Sequence, residues 1–375
     1  MNKAQKIGED QYTQAVDLLR ELIRTPSLSG EEEKTAAIIR RFLEERGVDV
    51  AQVGNNVWCR NRNFSDEKPT ILLNSHHDTV PAGSSYTRPP HEPSVEDGIL
   101  YGLGSNDAGG PLVSLIATFL HFYERELPFN LILAATGEEE ISGENGIPLI
   151  LPELGRIDFG IVGEPTKMEL AVAEKGLIVV DCVAHGVRGH AARDEGENAI
   201  YNAMVDIEWF RTYRFERESA TLGPVKMAVT IVEGGSRHNI VPETCNFTVD
   251  VRTTDAYTNR EVAEIIRNHV RSEVNVRSYR LNPSGIDPNH PIVAVAKHLG
   301  IPTYGSPTVS DQSRMPFPTV KIGPGDSARS HTADEYIHLE EIRTGIEKYV
   351  QILDRLTEHT IPHYEIEKED QRGQE

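Results

Sequence analysis

Residues 70–81 read Thr-Ile-Leu-Leu-Asn-Ser-His-His-Asp-Thr-Val-Pro. Thr70-Ile71-Leu72-Leu73 is a short unbroken apolar run, the texture of a sheet strand covered on both faces, and it empties into Ser75-His76-His77-Asp78. The same arrangement recurs twice. Leu131-Ile132-Leu133-Ala134 leads into Glu138-Glu139-Glu140, and Phe159-Gly160-Ile161-Val162 leads into Gly163-Glu164. In open α/β sheets ligands sit outside the carboxyl ends of the strands, so these groups are expected to converge although they lie far apart in sequence. Asp107, in the Gly-rich turn Gly102 to Gly110, is a fourth contributor, and His331, after Gly323-Pro324-Gly325, is a fifth.

Outward from these runs, helical spacing predicts a helix over Tyr12 to Arg24 and a second opened by a capping box at Ser29-Gly30-Glu31-Glu32 and stopped by Gly47. A third covers Gly110 to Glu126. Strands interleaved with helices imply an α/β layer with a largely parallel sheet. From about Lys175 the order becomes strand (Gly176 to His185), helix (Asn198 to Tyr213), strand (Val225 to Glu233), strand (Asn246 to Thr253), helix (Asn259 to Val270), strand (Val274 to Leu281). That βαββαβ order is ferredoxin-like. The expected organisation is one α/β domain, residues 1–173 and 284–375, interrupted by an inserted α+β domain at 174–283. The chain closes with strand texture at Thr319 to Ile322, a helix over Leu339 to Leu356, and a charged, frayed tail from His363.

Composition excludes several classes. With 375 residues, 38 Lys+Arg and 58 Asp+Glu, the formal charge is −20, which repels phosphate backbones and argues against a nucleic-acid partner. The longest apolar stretch, Leu112 to Tyr123, is broken by Ser114, Thr118 and His121 and falls short of the roughly 20 residues a bilayer demands. Three scattered cysteines match no disulfide or CxxC pattern, and Met1 to Gln14 carry no apolar leader, so the expected location is the cytoplasm.

Histidine and carboxylate ligands without thiolates suit zinc, cobalt or manganese, and five groups exceed what one tetrahedral ion needs, so two ions are expected. In His76-x-Asp78 both side chains point to one side of an extended segment, which lets Asp78 accept the imidazole's second N–H. Of the adjacent Glu138 and Glu139, one binds metal and the other stays free as a general base. Glu140 is read as a solvated acid, and His77, His91, His121 and His359 as structural or solvated. The implied reaction is hydrolysis of a carbonyl substrate by an activated water. Ser75 is no triad nucleophile, since GxSxG is absent, and the turn at Gly102 lacks the third glycine of a dinucleotide fingerprint.

Ser75-His76-His77-Asp78-Thr79-Val80-Pro81, Asp107-Ala108-Gly109-Gly110, Thr136-Gly137-Glu138-Glu139, Gly163-Glu164-Pro165-Thr166 and the late His331 together resemble the two-domain zinc amidohydrolases and exopeptidases, in that family's order and over nearly the whole chain. The wording is most similar to acetylornithine deacetylase-type members. The resemblance implies that His76, Glu139, Glu164 and His331 bind two zinc ions bridged by Asp107, with Glu138 as general base and Asp78 orienting His76. It implies that the inserted domain is a lid and homodimerisation domain. Within it, His190, in Gly186-Val187-Arg188-Gly189-His190, would stabilise the oxyanion, and Asn239 and Arg252 would hold the substrate carboxylate.

Two departures from the family stand out: Leu103 and Gly109 replace a frequent Arg and Lys. The implied activity is removal of acetate from N-acetylornithine, in arginine biosynthesis. N-acetylcitrulline, N-succinylornithine, N-succinyl-diaminopimelate and dipeptides are the alternatives within the class, and a non-enzymatic metal-binding protein the alternative outside it.

Overall fold

The computed structural model describes residues 8–193 and 195–364. The expectations for the first residues and for the tail fall largely on 1–7 and 365–375, which lie outside the described residues. The chain forms two compact units: residues 8–172, 285–304 and 310–364 in the first, and 173–284 with 305–309 in the second.

The first unit is built on the two fully buried strands Thr70–His76 and Asn130–Thr136, which pair in parallel from Thr70↔Asn130 to His76↔Thr136. Phe159–Val162 continues the sheet in parallel beside Thr70–His76, and Thr319–Lys321 beside Phe159–Val162. The far edge is antiparallel, with Asn56–Arg60 against Asn130–Thr136 and Val50–Val53 folded back on it. Successive residues of a strand point to opposite faces, and here both faces are covered. Ile71, Leu73, Leu131, Leu133, Phe159 and Ile161 enter one apolar cluster with helices Glu9–Arg24, Glu33–Glu44, Gly110–Phe122 and Leu339–Leu356. Leu72, Ile132, Ala134 and Val162 enter another, with Ile147–Leu154. That double covering is why the strands read as continuous apolar runs instead of alternating ones.

One local expectation fails. The helix Glu33–Glu44 has no side-chain cap. Ser29 instead donates its hydroxyl to Asp78 Oδ2 (2.7 Å), and the Glu32 carboxylate accepts from the amides of Gly30 (2.7 Å) and Glu138 (3.0 Å). The capping-box residues thus serve the loops beside them and not their own helix.

The second unit has the βαββαβ order, in a four-stranded antiparallel sheet arranged Lys226–Gly234, Thr244–Thr253, Gly176–His185, Glu273–Val276. Burial alternates along Gly176–His185, as expected when one face packs on helices and the other does not. Helices Ala199–Thr212 and Asn259–His269 cover the buried face; Asn198 caps the first, and a Thr258/Glu261 capping box opens the second. The last strand is shorter than expected, because regular pairing stops at Val276 and the chain returns only at an isolated bridge between Leu281 and Leu177.

Candidate active site

The carboxyl ends of the central strands deliver the expected groups to one place. His76, the last residue of its strand, is buried, with Nδ1 3.1 Å from the Asp78 carbonyl oxygen and 3.4 Å from Asp78 Oδ1. Its tautomer is thereby pinned, leaving Nε2 to face the cluster. Nε2 lies 3.3 Å from Asp107 Oδ1, 3.8 Å from Glu164 Oε1 and 3.9 Å from Glu139 Oε2. The other oxygen of Asp107, Oδ2, lies 3.8 Å from Nε2 of His331, which also meets Glu140 Oε2 at 2.9 Å. Asp107 therefore turns one carboxylate oxygen toward each imidazole.

The Glu138-Glu139-Glu140 run requires a correction of register. Glu138 adopts the left-handed conformation (φ 55°), and its carboxylate turns aside to accept from Asn145 N (3.0 Å) and Asn145 Nδ2 (2.9 Å). Its side chain lies over Gly143, leaving no room there for a Cβ. Glu139 and Glu140 are the two that enter the cluster, so Glu138 does not stand where a general base would, and Glu140 is not a solvated acid: its side chain is 7% exposed. The turn is set by Asp78, whose Oδ1 accepts from the Glu139 amide and Oδ2 from the Glu140 amide, each at 3.1 Å. No sequence periodicity reports that Gly137 and Glu138 are spent on the turn before the chain enters the site.

The electrostatics are those of a cation site. Burial, then the nearby charges of Glu164 and Asp311, hold the Glu139 carboxyl well above its ordinary range. Burial and Asp107 push Glu164 up to about 8, against the opposing pull of His76 and Lys321. His331 is raised to about 9, chiefly by its bond to Glu140. Burial opposes the charging of His76, yet Glu139, Asp107 and Asp78 carry it well above the usual imidazole value. Asp311, buried and accepting from Thr136 Oγ1 (2.9 Å), is pushed up to about 6 by burial; the sequence reading missed it. Carboxylates that raise one another while gripping the protons of imidazoles lack positive charge. The donor atoms of His76, Glu139 and Glu164, and those of His76, Asp107 and Glu140, lie within 4.8 Å of one another, so the residues present fit divalent cations.

The pattern of peptidase family M20/M25/M40 matches residues 72–355. The chain belongs to that family. Among curated relatives, succinyl-diaminopimelate desuccinylase of Corynebacterium glutamicum is 29% identical over 372 residues, covering 91% of this chain and 96% of that one. Succinyl-diaminopimelate desuccinylase 2 of Ruegeria sp. is 28% identical over 293 residues, covering 72% and 73%. Among solved structures, a tripeptidase of Staphylococcus aureus superposes with a TM-score of 0.76 at 21% identity, covering 93% of this chain and 99% of that one. A dinuclear metal-binding peptidase of Bacillus subtilis gives 0.72 at 18%, covering 94% and 100%. This M20/M25/M40 chain is thus an enzyme acting on amide bonds, with the family's catalytic fold and its α+β companion unit.

The remaining predicted residues lie in the second unit. His190 is in the two-residue strand Gly189–His190, paired with Ile240–Val241; it is exposed, and its Nδ1 accepts from Ala192 N (3.1 Å). Asn239 precedes the partner strand, its carbonyl accepting from Ala191 N (3.1 Å), so the ribbon brings these two together. Arg252 is apart from them on Thr244–Thr253, its guanidinium bidentate on Asp250 (2.8 and 3.0 Å). His77 is structural as expected, wedged between Thr35 Oγ1 (2.9 Å) and the Asn55 carbonyl (3.0 Å). The three cysteines are free and buried, and among the described residues no helix is long and apolar enough to cross a membrane.

Proposed function

We propose that the protein hydrolyses the acyl–nitrogen bond of an N-acyl amino acid at a two-cation centre, with N-acetylornithine as the first candidate, giving ornithine and acetate. The observation that carries this is the shared carboxylate of Asp107, 3.3 Å from His76 and 3.8 Å from His331. On this reading His76, Asp107 and Glu164 would hold one cation, and Asp107, Glu140 and His331 the other. Zinc, cobalt or manganese would suit them. Bound there, the ions would supply Lewis acidity that polarises the scissile carbonyl and acidifies water.

Of the three carboxylates within 4 Å of His76 Nε2, those of Asp107, Glu139 and Glu164, Glu139 is the one left over once both donor sets are filled, and we assign it the general-base role in place of Glu138. It takes a proton from the attacking water and returns it to the leaving nitrogen as the C–N bond breaks, so the acyl group departs as carboxylate and the amino acid as amine. His190 would stabilise the oxyanion, and Asn239 and Arg252 would hold the α-carboxylate, for which Arg252 must exchange Asp250 for substrate.

We further propose a homodimer formed through the second unit. Tyr201, Met204 and Val205 on helix Ala199–Thr212, and Ile231 and Val232 on the edge strand Lys226–Gly234, are more than half exposed, apart from Ile231 at 50%. An apolar helix stripe beside an open strand edge supports pairing with a second copy. The buried free thiols support a reducing, cytoplasmic setting.

The desuccinylases among the relatives favour a second reading, in which the acyl group is succinyl, on ornithine or diaminopimelate. The test is free-amine release by metal-loaded protein, with and without chelator, from N-acetylornithine, N-acetylcitrulline, N-succinylornithine, N-succinyl-diaminopimelate and a dipeptide. Chelator-sensitive release from N-acetylornithine is expected. Release from the succinyl compounds alone selects the second reading, and release from the dipeptide alone makes the protein a peptidase.

A further inference from the structure

The backbone N–H groups at the start of the loop that carries Asp107 find most of their partners outside it. Of the six consecutive backbone N–H groups from Gly102 to Asp107, one bonds within the loop, Ser105 to the Gly102 carbonyl (3.1 Å), and one leaves for Pro90 (2.9 Å). The other four end on a single residue. Glu335 accepts from Gly102 N through its backbone carbonyl (3.0 Å), from Gly104 N through Oε2 (3.0 Å), and from Asn106 N and Asp107 N through Oε1 (2.8 and 2.9 Å). Glu335 is 2% exposed, so losing its carboxylate would leave three amides without partners, those of Gly104 and Asn106 in buried residues. Consecutive amides turned toward one anion make a concave nest, and the glycines permit it: Gly102 and Gly104 both have positive φ, 151° and 74°.

Glu335 also lies four residues after His331, in the turn that presents that imidazole with φ 57°. A second stitch runs the same way: Asn106 Oδ1 accepts from Asp326 N (2.9 Å), and Asn106 Nδ2 donates to the Asp326 carbonyl (3.1 Å). His76 and Glu164, by contrast, leave the central sheet strands directly.

We propose that Glu335 is a positioning residue that fixes Asp107 relative to His331, so that the cation position shared by Asp107, Glu140 and His331 depends on it more than the position shared by His76, Asp107 and Glu164. This rests on the two-cation reading above. The glutamate itself ligates nothing; it sets the distance between two donors that come from loops more than 200 residues apart in the chain.

The test is calorimetric titration of metal-stripped full-length protein with Zn2+ alone. The wild-type chain takes up two ions. Glu335→Ala keeps one and binds the second about 10- to 100-fold more weakly, the usual cost of removing a group that orients a ligand. Glu335→Gln, which offers one carbonyl oxygen to Asn106 and Asp107 but opposes an N–H to that of Gly104, falls between. Titration of Glu335→Ala indistinguishable from wild type overturns the proposal. If that variant does not fold, Glu335→Gln and hydrogen exchange on the unmodified chain decide: slow exchange at Gly104, Asn106 and Asp107 supports the clamp, and exchange at open-loop rates overturns it. A wild-type chain that takes up fewer than two ions brings down the two-cation reading, and the proposal with it.

Discussion

The candidate metal ligands of the first unit and the candidate substrate residues of the second are held by opposite means. In the first unit, buried carboxylates grip the backbone of the loops that carry the ligands: Asp78 the Glu139-Glu140 turn, Glu335 the Asp107 loop, Glu32 the entry to the turn at Glu138. Each grip is a hydrogen bond to a buried carboxylate, in surroundings that strengthen such bonds. In the second unit His190 and Asn239 sit on a ribbon of two-residue strands, exposed, with a single backbone amide on the imidazole. The ligand loops are thus gripped by buried side chains, whereas the ribbon is held by backbone pairing and leaves its candidate side chains exposed. The acidity of the sequence has a structural use as well as a cation-binding one, since some of these carboxylates are there to hold amides.

The contrast can be broken at its strongest point first. Glu139→Gln should lower kcat about 10²- to 10⁴-fold, the range for loss of a general base, with both cations still bound. His190→Ala should lower kcat about 10²- to 10³-fold, as loss of an oxyanion donor does, and leave metal uptake untouched because the ribbon contributes no ligand. Steady-state kinetics beside metal analysis checks both. A His190→Ala variant that lost a cation would erase the division between the two regions.

The smallest effect is one of pH. Glu164 holds its proton to about 8 in the folded chain, against an ordinary carboxyl value of 4.5. Between those values the folded chain binds a proton that the unfolded chain has released. The stability from this group is therefore complete below 4.5 and is lost as pH rises through 8. Cation binding requires the ionised form, so metal affinity rises across the same window. Melting curves should show the metal-free protein losing Tm from about pH 5 to about pH 8 while the loaded protein gains on it. A metal-free Tm that climbs over that range contradicts the assignment.

Much of this was legible in the sequence because strand ends and chemistry coincide. Apolar runs located Thr70–His76, Asn130–Thr136 and Phe159–Val162, and the residues that follow them form the cluster. Legibility failed at turns. Ser29 and Glu32 match a helix-start pattern, yet tertiary bonds to Asp78 and Glu138 outcompete the local cap. In Glu138-Glu139-Glu140 the composition identified a carboxylate pair, but which two face inward depends on the left-handed turn at Glu138 and the grip of Asp78, both tertiary facts. Glu335 and Asp311 were invisible for the same reason, being buried acids whose partners are distant in sequence.

The most direct test of the account is a metal titration of Glu138→Ala and Glu140→Ala beside the wild-type chain. Two cations per chain are predicted for wild type and for Glu138→Ala, and one for Glu140→Ala. A cation lost from Glu138→Ala and retained by Glu140→Ala would contradict the assignment of the two donor sets.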